Sequence, residues 1–153
     1  MFREIAQKKD IVSAHTCIFT VLKTNSPACV WLPRFADKAR LSLNQQLPLL
    51  YRLAFGSPFG VDGYFLRHFG LTIDQFLAAV RQSADNAALV RWFLALPGAS
   101  PERIAEWNHR ATVLGVKGHP GYLTRHLAKW LFYPKSVRSP VGSVFAAIDQ
   151  DER

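Results

Sequence analysis

Apolar residues recur at helical spacing along much of the chain, and this periodicity limits the folds that the chain can adopt. The pattern is clearest between residues 33 and 46, where the apolar side chains share one arc of a helical wheel at about 100° per residue. They are Leu32, Phe35, Ala36, Ala39, Leu43 and Leu47. Pro33 suits the first turn of a helix, where its missing N–H is not needed. The pattern predicts a helix over about 33–46 with one face in a core.

Start and stop signals divide the following residues into further helices. Thr72 and Gln75 have the spacing of a capping box, and Ser100 followed by Pro101 is typical of a helix start. The segment 84–96 is apolar around most of its circumference, as is usual for a helix surrounded by neighbours. We therefore predict an all-α fold, a compact single-domain bundle of about six to seven short helices around a central apolar helix (84–96).

The length of 153 residues fits one domain with a substantial core, and we assign residues 1–153 to a single helical domain. Within it we distinguish an N-terminal segment (1–29), a core region (30–115) and a basic C-terminal extension (116–153). Residues 11–22 are rich in β-branched side chains, and this pattern fits a buried strand as well as a helix. The structure of the N-terminal segment therefore stays open.

Cysteine usage and hydropathy favour a cytoplasmic location. Cys17 and Cys29 lie in apolar surroundings without CxxC spacing, so reduced thiols are the simplest interpretation. No apolar run reaches the roughly 18 residues that a membrane span needs. The apolar segment 11–22 is bracketed by Asp10 and Lys23, and no small-residue cleavage site follows it, which argues against a signal peptide. We expect no membrane partner.

Nineteen basic residues against eleven acidic ones give a net charge of +8. Such an excess favours anionic partners, although net charge alone does not identify them. The histidines, cysteines and acids show no spacing typical of a metal site, and the glycines show no phosphate-binding motif. We expect neither a metal nor a cofactor.

Four charged residues occupy the side of the first predicted helix that faces away from its apolar arc. They are Arg34, Asp37, Lys38 and Arg40, which we call the charged motif. Asp37 is three residues from each arginine, so either guanidinium can pair with its carboxylate. Surface ion pairs or a partly buried network would explain this pattern without a ligand. The functional alternative is a cleft for an anionic group, with these four as candidate ligand-binding residues.

Residues 32–40, LPRFADKAR, resemble the L-P-R-x-x-D-K-x-R signature of an uncharacterised bacterial family, the domain of unknown function 5069. Further similarities are Val61 with Asp62, Phe65 with Leu66, the run 68–71, Phe76, Asp85, Trp92 with Phe93, and the run 106–108. The end of the chain, 143–151, resembles the apolar-then-acidic ending of that family. The resemblance covers roughly residues 30–115 and this ending. It implies a shared fold but no mechanism, because the family has no assigned activity or cofactor.

A second basic surface is predicted on a helix over about 122–132. Its polar face carries Tyr122, Arg125, His126, Lys129 and, at the end, Tyr133. Cations interleaved with aromatic rings can contact phosphates and stack on bases, which would make these nucleic-acid-binding residues. A solvated helix face with loosely packed tyrosines explains the same pattern.

These patterns support one principal hypothesis and two alternatives. The principal hypothesis is a non-catalytic binding module whose charged motif accepts an anionic small molecule or an acidic protein surface. The alternatives are nucleic-acid binding through the face from Tyr122 to Tyr133, and an enzyme acting on a phosphate- or carboxylate-bearing small molecule. The sequence does not decide whether the protein is an enzyme, since no residue lies in a local catalytic signature. It does not predict the oligomeric state either.

Overall fold

The computed structural model describes residues 29–126, and this part of the chain is helical without any strand. It forms the successive helices α1 (Leu32–Leu43), α2 (Leu49–Ala54), α3 (Val61–Phe69), α4 (Ile73–Gln82), α5 (Asn86–Leu94) and α6 (Pro101–Val113). Residues 122–126 are also helical. The predicted all-α class is confirmed. Residues 1–28, which include most of the N-terminal segment, and residues 127–153 lie outside the described part.

Local side-chain chemistry sets the start of two helices as predicted. Thr72 Oγ1 accepts a hydrogen bond from the N–H of Gln75 at 3.2 Å, and the Gln75 side chain accepts one from the N–H of Thr72 at 2.9 Å. This reciprocal capping box opens α4. Ser100 caps α6, and Pro101 occupies its first turn.

The start of α5 differs from the prediction. Asp85 caps this helix, because its Oδ1 accepts a hydrogen bond from the N–H of Ala88 at 2.7 Å. Ser83, the cap that the sequence predicts for the segment 84–96, donates its hydroxyl hydrogen to the carbonyl of Ala79 at 2.7 Å, and it therefore lies at the end of α4. The helical part of the predicted segment 84–96 is shorter for this reason.

Phe65 on α3 lies at the centre of the hydrophobic core. Its side chain is fully buried, with 0% exposed. Its ring centroid lies between 4.9 and 6.4 Å from those of Phe35, Phe69, Phe76, Phe93 and Trp107. These partners belong to α1, α3, α4, α5 and α6. One aromatic side chain therefore joins most of the described helices through ring contacts.

Among the helices of residues 29–126, α3 is the most deeply buried, while α5, within the predicted central segment 84–96, buries only Leu89 and Phe93. Two of the buried side chains on α3 are polar, Asp62 and His68, and both have hydrogen-bond partners. The pattern of apolar residues in a sequence does not reveal polar side chains that are buried together with their hydrogen-bond partners. This explains why the hydrophobic pattern favours α5 as the centre of the bundle.

The loop from residue 55 to residue 60 crosses the first turn of α3, and Gly63 makes this contact possible. A Cβ atom added to Gly63 would lie 2.3 Å from the carbonyl oxygen of Ser57 and 2.5 Å from Cα of Pro58. Both are backbone atoms and cannot rotate out of the way. The close approach of two backbones, and not an unusual φ angle, therefore requires glycine here.

Gly63→Ala is expected to lower the free energy of unfolding by about 3 kcal/mol, because the loop must move to admit the methyl group. Gly60→Ala is the matched control, since the nearest atom to its added Cβ is 3.6 Å away, an ordinary contact. We expect the control to cost under about 1 kcal/mol. Urea unfolding measures both values. Equal midpoints for the two variants would show that the loop and α3 are not in close contact.

Cys29 is a buried free thiol at the start of the described chain. Burial raises its pKa to about 12. Since the thiolate is the reactive form, the folded protein holds Cys29 in an unreactive state at neutral pH. A thiol whose pKa is raised on folding stabilises the fold below its unfolded pKa of about 8.5. That contribution is lost as the pH rises towards 12.

This burial predicts slow alkylation. In a Cys17→Ser variant the remaining cysteine is Cys29, because the chain has two cysteines. We expect iodoacetamide at pH 8 to modify it at least about 100-fold more slowly in buffer than in concentrated urea. Mass spectrometry follows the reaction, and similar rates in both solutions would place Cys29 at the surface.

Candidate functional site

The charged side chains of α1 do not gather around Asp37 alone. Lys38 Nζ lies 3.2 Å from Oδ1 of Asp62, whose side chain is 2% exposed. Trp31 Nε1 donates a hydrogen bond to the same oxygen at 2.8 Å, and the N–H of Gly56 donates to Oδ2 at 3.1 Å. We call these four residues the Asp62 network. It ties α1, the loop 55–60 and α3 together through one buried carboxylate.

Sequence reasoning missed the role of Asp62. An acid just before an apolar helix is typical of an N-cap, and Asp62 fits that pattern. In the structure Gly60 occupies the cap position, and Asp62 lies one residue inside the first turn. The sequence did contain one signal for this role. Asp62 is an acidic residue between Val61 and Gly63, so its carboxylate has few polar neighbours in the sequence.

The other members of the charged motif lie nearer the surface. Arg40 Nη1 is 3.3 Å from Oδ1 of Asp37, and the two side chains are 33% and 30% exposed. Arg34 is half-buried on the same helix. The structure therefore separates Lys38, which reaches the Asp62 network, from the pair of Asp37 and Arg40. A half-exposed ion pair of this kind contributes little to stability.

A groove of about 330 Å³ lies between α3 and α6 and continues to the residues that follow α6. It is lined by Tyr64, Arg67, His68, Arg103, Glu106, Trp107, Arg110, Leu114 and Pro120. We call it the arginine groove, because three guanidinium groups share it with one carboxylate. Its volume is at the lower end of the range for small-molecule sites. The charged motif does not contribute to its lining.

Two of the three arginines are held by backbone carbonyl groups. Arg103 donates from Nε to the carbonyl oxygen of Gly98 at 3.0 Å and from Nη2 to the carbonyl oxygen of His68. Arg67 donates from Nη1 to the carbonyl oxygen of Pro58 at 2.7 Å. These bonds fix the guanidinium groups without neutralising their charge. Arginines that are already ordered lose less side-chain entropy when a ligand binds.

His68 is the buried titratable side chain of the groove, with 6% exposed. Its Nε2 lies 2.8 Å from the carbonyl oxygen of Arg103. A carbonyl oxygen only accepts hydrogen bonds, so Nε2 carries a proton. In the neutral ring Nδ1 is then an acceptor, and Arg110 Nη1 lies 3.4 Å from it as a donor. The geometry thus assigns the Nε2–H tautomer to the neutral ring.

Sequence reasoning also missed the arginine groove. Its polar residues lie at positions 64, 67 and 68 of α3 and at positions 103, 106 and 110 of α6. Each set has the three- and four-residue spacing that places side chains on one helix face, and this was the available signal. No local pattern shows that the two faces meet. The spacing of Glu106 and Arg110 suggests an ion pair, yet Arg110 reaches towards His68 instead.

Part of the predicted nucleic-acid surface lies within the described residues. The rings of Tyr122 and His126 are packed edge to face, 4.7 Å apart between centroids. The guanidinium carbon of Arg125 lies 5.7 Å from the centroid of the Tyr122 ring. These three residues are therefore neighbours. Lys129 and Tyr133 lie outside the described residues.

Neither a metal site nor a membrane span is found between residues 29 and 126. No group of three or more histidine, cysteine or acidic side chains in this range is arranged to hold a metal ion. No helix in the same range combines the length and the apolar character that crossing a bilayer requires.

Fold and groove together define a small all-α domain with a polar cleft. Residues 25–153 match the family described as domain of unknown function (DUF5069), and the chain belongs to this family. The match includes residues 116–140, where the resemblance in the sequence is weak. No curated protein and no solved structure matches the chain. A functional proposal therefore rests on the geometry of the site.

Proposed function

We propose that this domain is a non-catalytic binding module for a small anionic ligand, which occupies the arginine groove. The observation that carries the proposal is the composition of the groove: Arg67, Arg103 and Arg110 around the buried His68, with Glu106 as the opposing carboxylate. Guanidinium groups are suited to oxyanions because their planar N–H donors match pairs of ligand oxygens. A sulfate, a phosphate group or a carboxylate has this chemistry.

The charged motif is less suited to an anionic ligand than the arginine groove. Lys38 faces the carboxylate of Asp62, and Arg40 faces that of Asp37, so an incoming anion would compete with an acid at both positions. In the arginine groove the anchors of Arg67 and Arg103 are neutral carbonyl groups. Their positive charge remains available to a ligand. This difference is the reason for placing the ligand in the groove.

The residue that tests the proposal most sharply is Arg110, which is exposed and whose substitution should not unfold the domain. We expect sulfate to bind the wild-type protein with a Kd on the order of 1 mM. Arg110→Gln should weaken this binding roughly 10- to 100-fold, because one charge-assisted hydrogen bond is lost. Isothermal titration calorimetry at constant ionic strength measures both dissociation constants.

Arg91→Gln is the matched control. Arg91 is exposed on α5 and does not line the groove, so its substitution removes the same charge elsewhere. We expect the control to bind sulfate like the wild type. Equal weakening in both variants would indicate general electrostatic attraction, and the groove proposal would then be rejected.

Nucleic-acid binding is a second candidate function. It is supported by the net charge of +8 and by the clustering of Arg125 with the rings of Tyr122 and His126. If it operates, Arg125→Glu should weaken binding to a single-stranded oligonucleotide and reduce the dependence of affinity on salt concentration. An unchanged salt dependence would exclude this face.

A cytoplasmic location is part of the proposal. It is supported by Cys29, which is a free thiol, as is usual for proteins of reducing compartments.

A further inference from the structure

We infer that the anion in the arginine groove binds together with one proton, which His68 takes up on Nδ1. This inference rests on the proposed function and deepens it. It also specifies the ligand class, a tetrahedral oxyanion with two negative charges, such as a phosphomonoester or sulfate.

The position of the extra proton follows from the hydrogen bonds of the His68 ring. Nε2 already donates its hydrogen to the carbonyl oxygen of Arg103 at 2.8 Å. A second proton therefore goes to Nδ1, which lies 3.4 Å from Nη1 of Arg110. Once Nδ1 is protonated, His68 and Arg110 present two donors to each other, and neither can accept. An oxyanion placed between them satisfies both donors.

The charges around His68 make the uptake of this proton depend on the bound anion. Within residues 29–126, the ionisable groups that line the groove with it are Tyr64 and Arg67 on α3, and Arg103, Glu106 and Arg110 on α6. A bound dianion offsets the excess of three cations over one carboxylate and so favours a positive charge on the imidazole ring. By linkage, the ligand then favours proton binding, and the proton favours ligand binding to the same extent.

The same count favours a dianion over a monoanion. Among the described residues, three guanidinium groups and one carboxylate leave two uncompensated positive charges in the groove. A tetrahedral group also presents oxygens in three directions, so it can contact His68 and Arg110 while a further oxygen faces another arginine. A carboxylate offers its two oxygens in one plane and neutralises one charge.

The experiment measures sulfate binding to the full chain by isothermal titration calorimetry between pH 5.5 and 8. Sulfate keeps both charges throughout this range, so any pH dependence belongs to the protein. Titrations in two buffers of different ionisation enthalpy give the number of protons taken up. We expect up to about one proton per sulfate and an affinity that falls up to tenfold per pH unit at the alkaline end.

His68→Gln tests the assignment of the proton. Its side-chain amide can still donate to the carbonyl of Arg103 but cannot take up a proton near neutral pH. We expect this variant to bind sulfate without proton uptake and with little dependence on pH. His109→Gln, which replaces an exposed histidine of α6 that does not line the groove, should behave like the wild type.

The outcomes separate this inference from the proposed function. If wild-type protein binds sulfate independently of pH and buffer, proton coupling is overturned, while anion binding stands. If sulfate does not bind at any pH, both are overturned. Equal proton uptake in the wild type and in folded His68→Gln places the proton elsewhere and also overturns the inference.

A second measurement serves if His68→Gln does not fold. Proton NMR of the wild-type histidine rings follows their protonation with and without sulfate. We expect added sulfate to increase the protonated fraction of the His68 ring at a fixed pH and to leave that of the His109 ring nearly unchanged. A shift of the same size at both rings, or none at His68, overturns the inference.

Discussion

Replacement of Asp62 by alanine is expected to lower the free energy of unfolding by about 3–5 kcal/mol, because one partner of a buried ion pair is removed. The Lys38 ammonium group, whose side chain is 24% exposed, would lose its counter-ion. Trp31 Nε1 and the N–H of Gly56 would lose the oxygens that accept their hydrogen bonds at 2.8 and 3.1 Å. Buried donors without acceptors are costly, since they are removed from water as well.

Asp37→Ala is the matched control for this prediction. Asp37 also pairs with a cation, Arg40, but its side chain is 30% exposed. We expect a cost under about 1 kcal/mol, as for other partly exposed ion pairs. Urea unfolding of both variants measures the two losses in the free energy of unfolding. A loss from Asp37→Ala as large as that from Asp62→Ala would mean that Asp37 is the organising carboxylate of α1.

The second large effect is expected at Phe65, where substitution by alanine should cost about 3–5 kcal/mol. The side chain is 0% exposed, and its ring contacts aromatic rings from five helices. The cavity left by the ring cannot be filled without moving several helices at once. The loss therefore includes both the transfer free energy and the cavity.

Phe59→Ala provides the contrast, because this phenylalanine is 70% exposed in the loop before α3. We expect a change within about 0.5 kcal/mol. Thermal unfolding followed by circular dichroism compares the variants under identical conditions. If the two substitutions lower the midpoint equally, the core is not centred on Phe65.

Interactions between close neighbours in the chain could be predicted from the sequence. The capping box of Thr72 and Gln75, and the start of α6 at Ser100 and Pro101, depend on residues up to three positions apart. Helix periodicity likewise depends on spacings of three and four residues. Such local signals were sufficient to predict the all-α class.

The site could not be predicted in the same way, because its contacts join distant parts of the chain. Lys38 and Asp62 are 24 residues apart, and the contact from His68 to Arg103 spans 35 residues. The pattern of α1 indicates ionic side chains around Asp37, and it contains no information on the buried acid of α3. Only the packing of α3 against α6 brings the groove residues together.

The Asp62 network gives Lys38, one residue of the charged motif, a structural role. Lys38 belongs to the L-P-R-x-x-D-K-x-R stretch, and Asp62 belongs to the next stretch that resembles the family. In the structure the two form one ion pair at 3.2 Å. This part of the signature therefore describes how α1 is attached to α3. It is a contribution to stability, and the proposed ligand site lies elsewhere.

The central claim, that the domain binds an oxyanion in the arginine groove, is tested most directly by mapping backbone amide shifts in ¹⁵N-labelled protein during a sulfate titration. We predict saturable shifts concentrated at residues 67–68 and 103–110, with little change at residues 34–40. Shifts concentrated at residues 34–40 would place the anion at the charged motif instead. The absence of saturable shifts at either place would contradict anion binding altogether.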